Sequence, residues 1–393
     1  MFTPLSVHNF ISRAGEYPVI DVRAPQEFEH GHIPGAYNVP LFSDDQRAVV
    51  GTLYKQEGKH AAIKVGLELV TPQLTSYITS VDTIFHEHRQ TAQPQQRIAS
   101  GHDIPQKNTG HADDLWNLIK PALMTVHNQQ APSLTSREQF GKKIFVYCAR
   151  GGMRSKSFCM LLASCGYTVY QLVGGYKGFK QYLRKQATQK YKIVLVGGKT
   201  GCGKTALLHE LKNQGEQVLD LEALAHHKGS VFGGINQPHQ PTQEQFIVNC
   251  LSALIACGTK KIIWAEKESY KIGNLSIPSE LWNIMQAAPI VYIDIPHDQR
   301  LKNIMIDYGA ATTDLLKVGV QALAKKLGGA RTQALCAELD AGNIWAVATA
   351  LLDYYDSSYT FSLEKNKDAR ITHVTFAGES LSEQAHKLKH YVY

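Results

Sequence analysis

The hydrophobic positions of this chain fall into short apolar runs separated by stretches of helical periodicity, which predicts alternating β-strands and α-helices. PVIDV is the first run, and it opens into RAPQEFEHGHIPGAYNVP, a loop rich in turn formers and charge. Asp21 and Arg23 therefore fall at the C-terminal end of a strand. IFVYC runs into Cys148, helix-like text follows, and TVYQLV with its GGYKGFK turn completes a β/α alternation of the kind that builds parallel sheets. Between about 75 and 140 the pattern fades into polar text such as HEHRQTAQPQQRIASGHDIPQKNTGHADD, which predicts a long loop or mobile insertion.

A basic connector with helical character, KGFKQYLRKQATQK, leads into KIVLVGG, where a second series of strands begins. The division lies near residue 190, giving domains of 1–187 and 188–393. QVLDL, KIIW and IVYIDI continue the alternation. From about residue 312, Leu316, Val320, Leu323 and Leu327 recur at spacings of four, three and four, the mark of amphipathic helices. The predicted fold class is α/β: two parallel-sheet domains followed by a helical C-terminal region. No internal repeat of fixed period is visible.

Composition narrows this picture. A length of 393 residues at 44% hydrophobic content is enough to bury two cores. No apolar run of eighteen residues occurs, and the opening MFTPLSVHNFISRAGEYP lacks the basic start and apolar stretch of a signal peptide, so a soluble, cytoplasmic protein without membrane contact is expected. The seven cysteines form no CxxC pair and no Cys/His spacing, which suggests reduced thiols and no metal site. The net charge of +7 fits a polyanionic partner without requiring one.

Gly198-Lys199-Thr200-Gly201-Cys202-Gly203-Lys204-Thr205 matches GxxxxGK[ST] and stands between an apolar strand and the helical KTALLHEL. Glycines let the backbone wrap a phosphate with its N–H groups inward, the helix N-terminus adds positive potential, and Lys204 supplies a mobile cation. Thr205 is placed to hold Mg²⁺ if that ion is present. Asp220 and Glu222, with Glu266 and Glu268, are candidate metal or water partners; the bland alternative is a set of solvated strand-end caps. His226, His227 and Lys228 in AHHKGSVFG are candidate anion or RNA contacts, or a solvated loop.

Cys148 is followed by Ala149, Arg150, Gly151, Gly152, Met153, Arg154 and Ser155, so a thiol leaves a strand into a glycine turn and then a helix. Backbone N–H groups at the helix start and two arginines favour its thiolate, suiting it to attack or to carry a chalcogen atom. A buried structural cysteine is the competing reading.

PVIDVRAPQEFEHGHIPGAYNVP, YCARGGMRS and LVGGYKGF together resemble the rhodanese superfamily, in which a loop cysteine carries persulfide sulfur; Asp21 and Arg23 would then support that loop. Five residues separate Cys148 from Arg154 where rhodaneses usually have four, and the wider cradle, residues 150–154, admits a tetrahedral oxyanion such as selenophosphate. With a P-loop domain attached, the chain is similar to the bacterial tRNA 2-selenouridine synthases over nearly its whole length, through LFSDDQRAVVGTLYKQEGKHAAIKVGLELV, DLEALAHHKGSVFG, the Arg300 region and LLDYYDSSYTFSLEK. His226, His227 and Lys228 depart from the arginines more usual in that family, and lysine offers a point charge where arginine offers a planar fork.

The resemblance implies a rhodanese-like domain followed by a P-loop NTPase-like one. It implies conversion of wobble 2-thiouridine in tRNA to 2-selenouridine with selenophosphate, through an S-geranyl intermediate made from geranyl diphosphate, with Cys148 as the essential thiol. Arg300 joins the candidate anion or RNA contacts, and Tyr354, Tyr355 and Tyr359 are stacking or core tyrosines. No tightly bound cofactor is expected, and oligomeric state is left open. Two other classes compete: a P-loop kinase coupled to a rhodanese-like phosphatase or sulfurtransferase acting on a small molecule, which predicts nucleotide turnover without tRNA affinity, and a non-catalytic anion sensor, which predicts that Cys148→Ala is silent.

Overall fold

A computed structural model describes residues 1–15, 17–91, 142–309, 311–364 and 370–391. They divide into two units, Met1–Ala187 with Leu251–Ala256, and Thr188–Cys250 with Cys257–Tyr393. Among the described residues no helix is long and apolar enough to cross a membrane.

The first unit is built on five parallel strands in the order β1 (Thr3–Leu5), β5 (Thr168–Leu172), β4 (Lys143–Tyr147), β2 (Val19–Asp21) and β3 (Tyr37–Asn38). β2 and β4 are buried at every position, which is why VID and KIFVY read as continuous runs rather than alternating ones. β4 ends one residue before Cys148, and the helix Met153–Ser164 begins five residues after it.

The polar stretch expected as a loop from residue 75 is helical over Leu74–Thr91. Tyr77, Val81 and Phe85, four residues apart, make a narrow apolar stripe buried in the first core, and the Tyr77 hydroxyl donates to the Leu41 carbonyl at 2.9 Å. Three well-spaced apolar residues outweigh polar surroundings, because a helix needs only one buried face. The rest of the expected insertion, from 92 onward, lies outside the described residues.

The second unit carries another five-stranded parallel sheet, ordered β12 (Ile371–Thr375), β11 (Ile290–Asp294), β6 (Lys192–Gly198), β8 (Ile262–Glu266) and β7 (Gln217–Leu219), with a small hairpin of β9 (Lys271–Ile272) and β10 (Leu275–Ser276). β6 sits at the centre, and the chain moves to β7 and β8 on one side before crossing to β11 on the other. That reversal opens a crevice at the C-terminal end of β6, where α/β sheets bind ligands.

The C-terminal region is mostly helical: Thr313–Ala322, Ala324–Leu327, Gly329–Asp340 and Ile344–Glu364 enclose a core of Leu316, Val320, Leu323, Leu339, Val347 and Leu351. β12 departs from the all-helical expectation. It pairs with β11 along its whole length, and its sequence, ITHVT, buries only Val374 fully, so as an edge strand it lacks a strong apolar pattern.

Candidate functional site

In the first unit, Cys148 is buried and its Sγ lies 3.2 Å from the Ser155 hydroxyl. Gln171, a buried polar residue in the apolar strand β5, donates to Ser155 Oγ at 2.8 Å and to the Gly151 carbonyl at 3.1 Å. The thiol is thus held by a neutral network. The backbone N–H groups of Tyr176 and Lys177 donate to the carbonyls of Cys148 and Ala149 at 2.9 and 3.0 Å, locking the loop's first turn.

The GGYKGF turn gains a physical reason here. A Cβ on Gly175, whose φ is +55°, would stand 2.2 Å from the Cys148 carbonyl oxygen and 2.6 Å from the Gly151 nitrogen. Only a backbone without a side chain fits against the cysteine loop in that way.

Charge is arranged around this cradle unevenly. Arg150 and Met153 are exposed, and Gly152 caps the helix that starts at Met153. Arg154 reaches across to Glu27 through two hydrogen bonds, of 2.5 and 3.2 Å. Burial works to raise the Glu27 carboxyl, but the Arg154 guanidinium holds it below its ordinary range. Asp21 and Arg23 form a buried pair at 2.6 Å; Arg23 also donates to the Gly31 carbonyl at 2.7 Å and lies 4.1 Å over the Tyr176 ring. Burial opposes the charge on Arg23, and Asp21 more than restores it. This pair braces β2 and the Gly174–Tyr176 turn beneath the loop.

In the second unit, the loop after β6 leads into the helix Lys204–Asn213. Gly201 and Gly203 have φ of +80° and +79°. The Lys204 ammonium donates to the Gly198 carbonyl at 3.2 Å, and the Thr205 hydroxyl donates to Glu222 at 2.9 Å. Lys199 lies 3.8 Å from Asp356. The loop floors a cleft of about 1430 Å³ whose walls include Glu222, Lys228, Lys267, Glu268, Tyr270 and Trp282.

The acidic candidates separate by environment. Asp220 caps the short helix Leu221–Ala225 through the Ala223 N–H at 2.8 Å and lies 2.8 Å from His209. Glu266 is fully buried, accepts from the Leu221 N–H at 3.1 Å, and is pushed well up by burial and by Asp220 and Glu222. Glu222 and Glu268 both face the cleft. Burial and the neighbouring Glu222 raise Glu268 to about 7, while burial lowers Lys267. A Cβ on Gly229 would lie 2.9 Å from a Glu268 oxygen and 3.0 Å from a Glu222 oxygen, so this glycine lets the backbone press on both carboxyls. Among the described residues, no group of three or more His, Cys, Asp or Glu side chains is arranged to hold a metal ion.

The basic candidates divide too. Lys228 lines the cleft and bonds Asp307 at 2.7 Å. His226 caps a helix in the left-handed conformation, its Nδ1 2.8 Å from the His239 carbonyl, and half-buried His227 packs against Gly233 and Gly273. Neither lines the cleft. Arg300 is 3% exposed; it pairs bidentately with Asp356 at 2.8 and 2.5 Å and donates to the Thr200 carbonyl at 3.2 Å. It therefore braces the phosphate loop from behind, as Asn303 does through the Gly201 carbonyl at 2.9 Å, instead of presenting a cation to an incoming anion. Tyr354 and Tyr355 pack on the C-terminal core, as the bland reading expected, and the Tyr359 side chain lies outside the described residues.

Sequence reasoning missed Glu27, Ser155, Gln171, Asn303 and Asp356. Gln171 and Asp356 had a signal, being polar residues within apolar strand or helix text. Glu27 had none, because its partner Arg154 is 127 residues away.

A buried thiol in a glycine loop and a GxxxxGKT loop in an open cleft, each on its own parallel sheet, mark a two-domain α/β protein that joins a rhodanese-like and a P-loop-like domain. Residues 191–386 match the model of the tRNA 2-selenouridine synthase AAA domain, and residues 4–65 match that of the rhodanese-like domain. The tRNA 2-selenouridine synthase of Bdellovibrio bacteriovorus is 31% identical, covering 95% of this chain and 94% of its own. Those of Nitrosomonas europaea and Shewanella loihica are each 30% identical, covering 89% and 93% of this chain and 90% and 92% of theirs. The chain belongs to the tRNA 2-selenouridine synthase family.

Proposed function

We propose that this protein converts wobble 2-thiouridine of tRNA to 2-selenouridine in two steps, one at each loop. The observation that carries this reading is the pairing, within one family member, of a fixed thiol on a neutral hydrogen-bond network with a cationic phosphate loop in a roomy cleft.

In the first step the P-loop cleft holds geranyl diphosphate. The thiouridine sulfur attacks the allylic carbon, the C–O bond to diphosphate breaks, and N3 of the base loses its proton. Lys204, the loop N–H groups and Lys228 stabilise the charge that develops on the departing diphosphate. Where Mg²⁺ accompanies the diphosphate, Thr205 and Glu222, hydrogen-bonded to each other, would hold it through their oxygens. In the second step selenophosphate meets the Cys148 loop, whose N–H groups and Arg150 receive the oxyanion; its selenium attacks C2 of the base, the C2–S bond breaks and geranylthiolate leaves to take up a proton, and water cleaves the Se–P bond to release phosphate. Family membership supports tRNA as the substrate.

The test is nucleoside mass spectrometry of 2-thiouridine tRNA incubated with the protein, geranyl diphosphate and selenophosphate. The expected product is 2-selenouridine, with the S-geranyl nucleoside accumulating in Cys148→Ala and neither product in Lys204→Ala. Unchanged tRNA in the presence of active controls, or steady ATP turnover stimulated by tRNA, would overturn the reading.

A further inference from the structure

Beside the phosphate cleft lies a second, apolar cavity of about 60 Å³. Its walls come from the helices His297–Tyr308, Thr313–Ala322, Gly329–Asp340 and Ile344–Glu364, and include Met305, Leu316, Val320, Leu339, Ala348 and Leu351. The two spaces share a wall made of Thr200, Ser230, Ile304, Tyr308 and Tyr355. Thr200 belongs to the phosphate loop itself. Next to it, Gly201 approaches Ile304 so closely that a Cβ there would stand 3.1 Å from that side chain. A ligand with its phosphates on the loop therefore lies next to residues that also line this cavity.

We propose that the cavity receives the hydrocarbon end of the diphosphate ester held by the P-loop, so that the C-terminal helices select the chain. The proposal rests on the geranyl diphosphate reading above and goes further by assigning the tail a place. An apolar cavity of this kind stays dry and takes apolar guests; at about 60 Å³ it is under half the roughly 150 Å³ of an engineered cavity that accepts benzene. It suits the branched tip of a short isoprenoid chain, not a nucleobase, whose polar edge would be left unsatisfied among Leu, Val and Met side chains. Met305 at the wall gives the cavity some adaptability, since an unbranched thioether repacks readily.

Equilibrium titration of the full chain with farnesyl diphosphate, geranyl diphosphate, dimethylallyl diphosphate and inorganic diphosphate tests this. The wild type is expected to bind geranyl diphosphate about tenfold or more tightly than inorganic diphosphate, the effect of burying a few methyl-sized groups. Ala348→Leu, which fills the cavity, should remove that preference and leave inorganic diphosphate within about twofold. Leu339→Ala, which enlarges it, should shift the preference towards farnesyl diphosphate. The two variants carry opposite expectations, so a folding defect in one, checked by thermal melting, leaves the other decisive. If both variants keep the wild-type order of chain lengths, or if the wild type binds all four diphosphates alike yet still geranylates tRNA, the tail pocket is overturned while the cleft reading stands. If no diphosphate binds and no geranyl transfer occurs, both fall.

Discussion

The two anion loops solve a similar geometric problem with different supports. Around Cys148 the supports are neutral or already paired: Ser155, Gln171, the close backbone of Gly175, and Arg154 bound to Glu27. Around Lys204 they are charged and crowded, with Glu222, Glu268 and Lys267 facing one cleft. A nucleophile must be held at one position before it reacts, and a buried neutral network does that without competing for its charge. A leaving diphosphate brings several negative charges, and a site of partly compensated charges is able to reorganise when it arrives. The difference teaches that one sequence signature, glycines between a strand and a helix, can frame a neutrally held thiol in one domain and a crowded set of charges in the other.

The sharpest way to break this comparison is to cross the lesions. Lys204→Ala should weaken geranyl diphosphate binding or slow its transfer by about two to three orders of magnitude, the usual cost of removing one key charge-stabilising donor, while Cys148 alkylation by iodoacetamide proceeds at the wild-type rate. A parallel fall in alkylation would show that the loops are not independent. The next largest effect concerns the brace behind the P-loop. Asp356→Ala leaves the buried Arg300 guanidinium without its bidentate partner, and we expect a loss of about 2 kcal/mol, discounted because Asp356 is partly exposed. Chemical denaturation followed by Trp fluorescence measures it, and Asp356→Glu should recover part of the loss.

On the thiol side, Ser155→Ala should change the alkylation rate of Cys148 by only about fivefold, the scale of one neutral hydrogen bond. A change of a hundredfold would mean that the hydroxyl does more than orient the sulfur. A fourth expectation is a pH dependence arising on the P-loop side. Burial beside Glu222 raises Glu268 from 4.5 to about 7, so the folded state binds more protons than the unfolded one across that window. Its contribution to stability therefore falls as pH rises from 4.5 towards 7 and stays low above it. Glu268→Gln should raise the melting temperature at pH 8 and leave it nearly unchanged at pH 4. An equal gain at both pH values would assign the effect to packing.

Much of this architecture was legible in the chain because its cause is local. GxxxxGKT between KIVLV and KTALLHEL specifies a strand, a phosphate turn and a helix, and YCARGGMRS specifies the thiol loop in the same way. The stretch after residue 74 was misread, because three apolar residues spaced by four are easily lost in polar text. Arg300 was placed among the anion contacts because a cation in a sequence carries no sign of its partner, and Asp356 lies 56 residues away. β12 was missed because an edge strand needs few apolar positions.

By itself the sequence determined the two folds, the thiol, the phosphate loop and the family, since each depends on residues near one another along the chain. Only the tertiary structure decided which charges face a ligand and which are consumed in holding the loops. It also brought Gln171 and Ser155 to the thiol, and the C-terminal helices to the rim of the phosphate cleft. The reason is that a buried charge or hydroxyl is defined by the partner that satisfies it, and those partners are brought together by packing across 7 to 127 residues of chain.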